Sequence, residues 1–102
     1  MHVVVESKRS EIAELCARLG VRKLDVFGSA TGDAFDEGRS DVDFVVEFVG
    51  GPEFDSFDAY FSLKEGLEAL LGRPVDLVTR SSIKNPHFRA RVERTQELLY
   101  AS

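Results

Sequence analysis

The chain has 102 residues, 43% of them hydrophobic and 30% charged, and a net charge of −5. That length suits one domain, taken here as 1–102, and the composition excludes a disordered, collagen-like or low-complexity chain. No apolar run approaches the ~20 residues of a membrane span, the opening MHVVVESKRSEIAEL has no signal-type core, and the acidic balance speaks against direct nucleic-acid binding.

Ile12, Leu15, Cys16 and Leu19 recur at helical spacing, so a helix is expected from about Ser7 to Leu19, ended by Gly20. Cys16 is the single cysteine. It excludes an internal disulfide framework and a cysteine-built zinc cage, and fits a reducing cytoplasm. Val21 to Phe27 reads as a strand, Gly28-Ser29 as a turn, and Ala30 to Ser40 as an exposed loop. Asp41 to Phe48 is the strongest strand, with Val42, Phe44, Val45, Val46 and Phe48 in one β-rich run.

Gly50-Gly51-Pro52 breaks that strand. An amphipathic helix is expected over about Asp55 to Leu71, with Phe57, Tyr60 and Phe61 among its core residues, and Gly72 and Pro74 end it. Val75 to Val78 forms a short strand. Asn85-Pro86 has the form of a helix start, cap followed by proline, and that helix should run to about Arg94. Leu98 to Tyr100 is either a small final strand or the helix tail. The order predicts an α/β (α+β) fold, a single mixed sheet with helices packed on it.

Charge is segregated along the chain. Between Asp33 and Asp58 nine acidic residues stand against Arg39 alone, whereas between Arg73 and Arg94 six basic residues face Asp76 and Glu93. Two solvated faces would explain this, as would a cation-binding centre beside a polyanion or partner surface.

Alternation along a strand puts Asp41 and Asp43 on one face. Two adjacent carboxylates repel unless a cation neutralises them, and hard oxygen ligands on a rigid strand suit Mg²⁺. The bland alternative is a charged edge-strand device, against which stands the apolar Phe44-Val45-Val46 run. Asp76, between Val75 and Leu77, joins the pair if its strand is a neighbour. Such a triad can hold two metals ~3.5–4 Å apart and serve an in-line phosphoryl displacement. Gly28-Ser29 offers the complement, backbone N–H groups and a hydroxyl that no side chain screens from phosphate.

Gly28-Ser29, eleven residues, then Asp41-Val42-Asp43 resembles the signature of the polymerase-β-like nucleotidyltransferases. More narrowly, the chain is similar to the minimal nucleotidyltransferase (MNT) antitoxins paired with HEPN toxins, over nearly its whole length. The resemblance implies Asp41, Asp43 and Asp76 as catalytic and metal residues: the first two as ligands of Mg²⁺, in two ions, and Asp76 as the third acid, readying the nucleophile. It implies Gly28, Ser29, Arg39 and Ser40 as nucleotide contacts. It implies a cytoplasmic antitoxin that moves AMP from ATP to a hydroxyl, a tyrosine, of a HEPN-family partner. The loop is one residue longer than is common in the family, and Thr31-Gly32 stands where many members carry Arg-Gly, which leaves Arg39 or Arg80 to offset phosphate charge. A binding-only antitoxin and transfer to a small-molecule hydroxyl are the rival readings. Arg80 and His87 have a spacing like that of the partner RNases, but Asn85-Pro86 interrupts the helix such a pair needs.

Overall fold

The computed structural model describes residues 3–28, 42–50 and 56–102. The expected Ala30–Ser40 loop therefore lies outside the described residues. Four strands form one mixed sheet in the order β3-β2-β1-β4: β1 (Val21–Phe27), β2 (Val42–Phe48), β3 (Val75–Thr79) and β4 (Glu97–Ala101). The pairs β1–β2 and β1–β4 are antiparallel, and β2–β3 is parallel. The helices are α1 (Val3–Glu6), α2 (Arg9–Arg18), α3 (Ser56–Leu71) and α4 (Pro86–Thr95), with a 3-10 turn over Arg80–Ser82. Among the described residues no helix is long and apolar enough to cross a membrane.

The sheet is buried on both faces, which is why Phe44-Val45-Val46 is continuously apolar rather than alternating. On one face Leu24, Val26, Phe44, Val46 and Leu77 meet Ile12, Leu15 and Cys16 of α2 and Leu63 and Leu67 of α3. On the other, Phe27 and Val45 pack with Ile83 and with Val92 of α4, joined by Val78 and Phe88. Phe27 and Phe88 meet edge to face at 5.8 Å, a favoured geometry for aromatic pairs. Burial pushes the Cys16 thiol up to about 12, so it serves as a small apolar core residue.

Several boundaries follow from local chemistry. Gly20, at φ 74°, turns the chain out of α2 into β1. Asn85 Oδ1 accepts the N–H groups of His87 (2.8 Å) and Phe88 (3.2 Å), and Pro86 takes the first position of α4, as Asn85-Pro86 predicts. The chain end resolves as the strand β4 rather than a helix tail, since α4 stops at Thr95 and Glu97–Ala101 pairs with β1.

Two features differ from the sequence reading. The helix α1 precedes α2 and buries Val5. Phe57 and Phe61 are not core: they are 71% and 45% exposed and meet edge to face at 4.9 Å. Both lie on the flank of α3, beside the stripe of Leu63, Leu67 and Leu71 that faces the sheet. Tyr60 is half-buried, and its hydroxyl donates to the Leu77 carbonyl.

Glu68 fastens the end of α3 to the start of β3. Its carboxylate accepts the Val75 N–H at 3.0 Å and pairs with Lys64 at 3.2 Å. The backbone hydrogen bond, then Lys64, holds the Glu68 carboxyl below its ordinary 4.5. A lowered carboxyl pKa contributes stability above the unfolded-state value, and that stability is lost as pH falls through the folded-state value. Glu68→Gln should therefore lower the thermal midpoint at pH 7, with the gap to wild type closing as pH falls through the lowered Glu68 value in a pH series of melts.

Candidate active site

The register of the sheet builds one end of its α4-covered face. Phe27 of β1 stands opposite Asp43 of β2, and Asp43 opposite Asp76 of β3. Partners in register project to the same face, so the two carboxylates are neighbours across a parallel pair. Asp43 is half-buried and Asp76 exposed. β2 and β3 are thus the adjacent strands that the expectation for Asp76 requires. Ser29, Arg39, Ser40 and Asp41 lie outside the described residues.

Gly28 follows directly on the Phe27 end of this row, at φ 76°, a conformation that L side chains rarely adopt. A Cβ there would stand 2.7 Å from Asp43 Oδ2 and 3.4 Å from Arg91 Nη2. Only glycine leaves room there for the Asp43 carboxylate. The Gly28 N–H donates to Thr95 Oγ1 at 3.0 Å, and the Thr95 hydroxyl donates to the Arg91 carbonyl at 2.8 Å. α4 is thereby fastened to the turn after β1. Arg91 and Thr95 were not singled out by the sequence reading: Thr95 is 67 residues from Gly28, and Arg91 sits unmarked among the other bases of its block.

Arg80 is elsewhere. Its Nη2 lies 3.3 Å from Asp25 Oδ2 and 3.0 Å from Gln96 Oε1, and its Nε lies 3.5 Å from Glu47 Oε1. Asp25 is one row along the sheet from Phe27 and Asp43, and Glu47 two rows from Asp43, at about 7 Å per row. The carboxyl group of Asp25 is only 2% exposed. Among the described residues Arg80 is its closest cation, with Lys23 at 3.7 Å. This arginine answers a buried carboxylate rather than a phosphate. His87, on the exposed start of α4, has its backbone N–H in the cap.

The donor set suits a hard divalent cation: two carboxylates on neighbouring strands, facing the same way, with a glycine turn beside them. Among the described residues no group of three His, Cys, Asp or Glu side chains gathers, and Asp41, the expected companion of Asp43, falls outside them.

Two consequences are measurable. Gly28→Ala should strain the turn and press on the Asp43 carboxylate, lowering stability by about 1–3 kcal/mol in denaturant titrations and shifting the carboxyl resonance of Asp43. Arg80→Met should leave Asp25, among the described residues, beside Lys23 alone and lower stability by about 3–5 kcal/mol in the same titrations.

Comparison with known proteins agrees with this geometry. The nucleotidyltransferase domain family matches residues 9–98. The chain is 48% identical over 73 residues to the protein adenylyltransferase MntA of Thermococcus cleftensis, covering 71% of this chain and 69% of that one. A solved structure assigned as a minimal nucleotidyltransferase superposes with a TM-score of 0.74 at 31% identity, covering 95% of both chains. A chain from the Shewanella oneidensis complex of a tri-AMPylated HEPN toxin with an MNT antitoxin shares the fold, with a TM-score of 0.65 at 19% identity over 95% of this chain and 72% of that one. A mixed four-stranded sheet, the paired acids beside a glycine turn and these relatives agree: the chain belongs to the nucleotidyltransferase domain family, among the minimal, MntA-like members.

Proposed function

We propose that this protein transfers AMP from ATP to a tyrosine hydroxyl of a HEPN-family partner and so acts as its antitoxin. One observation carries the reading: Asp43 and Asp76 are register partners on one sheet face, beside a glycine whose bare Cα makes room for the Asp43 carboxylate. The activity named for the Thermococcus cleftensis relative and the AMP-bearing HEPN toxin of the Shewanella complex support it.

In this reading the backbone at Gly28 and the hydroxyl of Ser29 hold the triphosphate, with Arg39 and Ser40 as further nucleotide contacts. Asp41 and Asp43, with Asp76, would hold Mg²⁺, in two ions. The cation, when bound, supplies positive charge against the phosphates. Asp76 accepts the proton of the attacking hydroxyl. The hydroxyl oxygen bonds to the α-phosphorus, the bond from that phosphorus to the β-bridging oxygen breaks, and pyrophosphate leaves with the electron pair. The whole chain 1–102 serves as one minimal domain, and the acceptor comes from the partner. The compartment in this reading is the cytoplasm, which suits the lone thiol of Cys16.

The test is to incubate the protein and the product of its neighbouring gene with labelled ATP and Mg²⁺. Label should move to that partner, fall by about 10²–10⁴-fold in Asp76→Asn, and vanish in the double variant Asp41→Asn, Asp43→Asn. Unlabelled partner with full protection of cells by the double variant would mean neutralisation by binding alone. Label found only on added small hydroxyl compounds would overturn the protein acceptor.

A further inference from the structure

α4 brings a cation to the acid pair. Arg91 Nη2 and Asp43 Oδ2 both lie within 3.4 Å of one point, the place a Gly28 side chain would occupy. They do not form an ion pair with each other. Among the described residues the Arg91 guanidinium makes no hydrogen bond or salt bridge, whereas Arg80 is taken by Asp25, Glu47 and Gln96, and Arg89 donates to the Ile83 carbonyl at 2.9 Å. The guanidinium and the carboxylate thus converge on the bare Cα of Gly28, where any side chain would collide with the carboxylate.

The position of Arg91 is fixed even though its side chain is exposed. Thr95, one helical turn later, accepts the Gly28 N–H and donates to the Arg91 carbonyl. The same hydroxyl therefore joins the turn against which the Asp43 carboxylate packs to the backbone that carries the arginine. Val92, adjacent in sequence and 1% exposed, anchors this turn of α4 under the sheet.

We infer that Arg91 is a phosphate-binding residue of the transfer reaction, gripping the β- and γ-phosphates of the bound triphosphate and the pyrophosphate they become. This rests on the nucleotidyl-transfer reading above. A guanidinium beside the Asp43 and Asp76 carboxylates suits a phosphate chain held at that acid pair, whose outer oxygens accept the planar N–H fork. Arg91 neither gains nor loses a proton in the step. It offsets the charge that builds on the bridging oxygen as the bond to the α-phosphorus breaks.

The experiment is calorimetric titration of the full chain, with Mg²⁺ present, by a non-hydrolysable ATP analogue, by pyrophosphate and by AMP. Arg91→Ala should weaken the ATP analogue and pyrophosphate by about tenfold or more, leave AMP unchanged, and leave the thermal midpoint near wild type. Arg91→Lys, which keeps the charge and loses the fork, should recover part of the loss and carries the test if the alanine variant folds poorly. Equal weakening of AMP and the ATP analogue, or wild-type affinity for all three, would overturn the role of Arg91 while nucleotide binding by the wild-type protein stands. A wild-type protein that binds none of the three would instead overturn the nucleotidyl-transfer reading itself, and this inference with it.

Discussion

The parallel pairing of β2 with β3 is the constraint on which the rest of the molecule depends. Asp43 and Asp76 are 33 positions apart in sequence, and only the register Val42↔Val75, Asp43↔Asp76, Phe44↔Leu77 makes them neighbours. A shift of β3 by one residue would send Asp76 into the opposite core and drive Leu77 out of it. Burial holds the register: Phe44 and Val42 are fully buried, and Leu77 is 3% exposed. The apolar side of the ladder thus fixes the geometry of its polar side. Two like charges are tolerated side by side because the rows flanking them bury enough apolar surface to hold the strands together.

The α4-covered face divides into zones along the strands. At one end stand Asp43 and Asp76, in the middle Val45 and Val78 under α4, and at the other end the cluster of Asp25, Lys23, Glu47 and Arg80. Asp25 lies level with Val45 yet reaches the charged end through its Oδ2, while among the described residues its Oδ1 has no hydrogen-bond partner. Buried charge of this kind adds little net stability but penalises any arrangement that separates the partners. Arg80 links β3 to β1 through Asp25 and to the end of α4 through Gln96. It thereby pins the 3-10 turn from which the chain runs on to α4.

Most of this was legible because the sequence carries it locally. Alternation around Asp43, the glycine ends and the Asn85-Pro86 cap each state a backbone requirement within a few residues. The neighbourhood of β2 and β3 needed only one added step, since a helix of the length of α3 between two strands favours a parallel crossover. What stayed hidden depends on long-range packing. Whether Leu98–Tyr100 continued α4 or turned to a strand was decided by the free edge of β1, which no local pattern shows. Phe57 and Phe61 read as core by composition, but the stripe of Leu63 and Leu67 had already settled which side of α3 meets the sheet. Arg91 looked like one base among six, and Thr95 like an ordinary helix residue, until α4 came to lie against Gly28.

That last contact joins stability to chemistry. The cluster beneath α4 is small, with Phe27, Val45, Ile83 and Val92 buried and Val78 and Phe88 partly so. Phe27 belongs both to this cluster and to the row that carries the acids, and Gly28 follows it directly. Any loosening of α4 therefore removes the edge contact on Phe27, the Thr95 hydroxyl from the Gly28 amide and the Arg91 guanidinium from the space before Asp43 together. An isolated helix of ten residues is marginal in water, so α4 holds its shape because it is docked. The same docking that completes the outer core is what assembles the basic side of the site, and the two cannot be separated by sequence changes in α4 that weaken its apolar face.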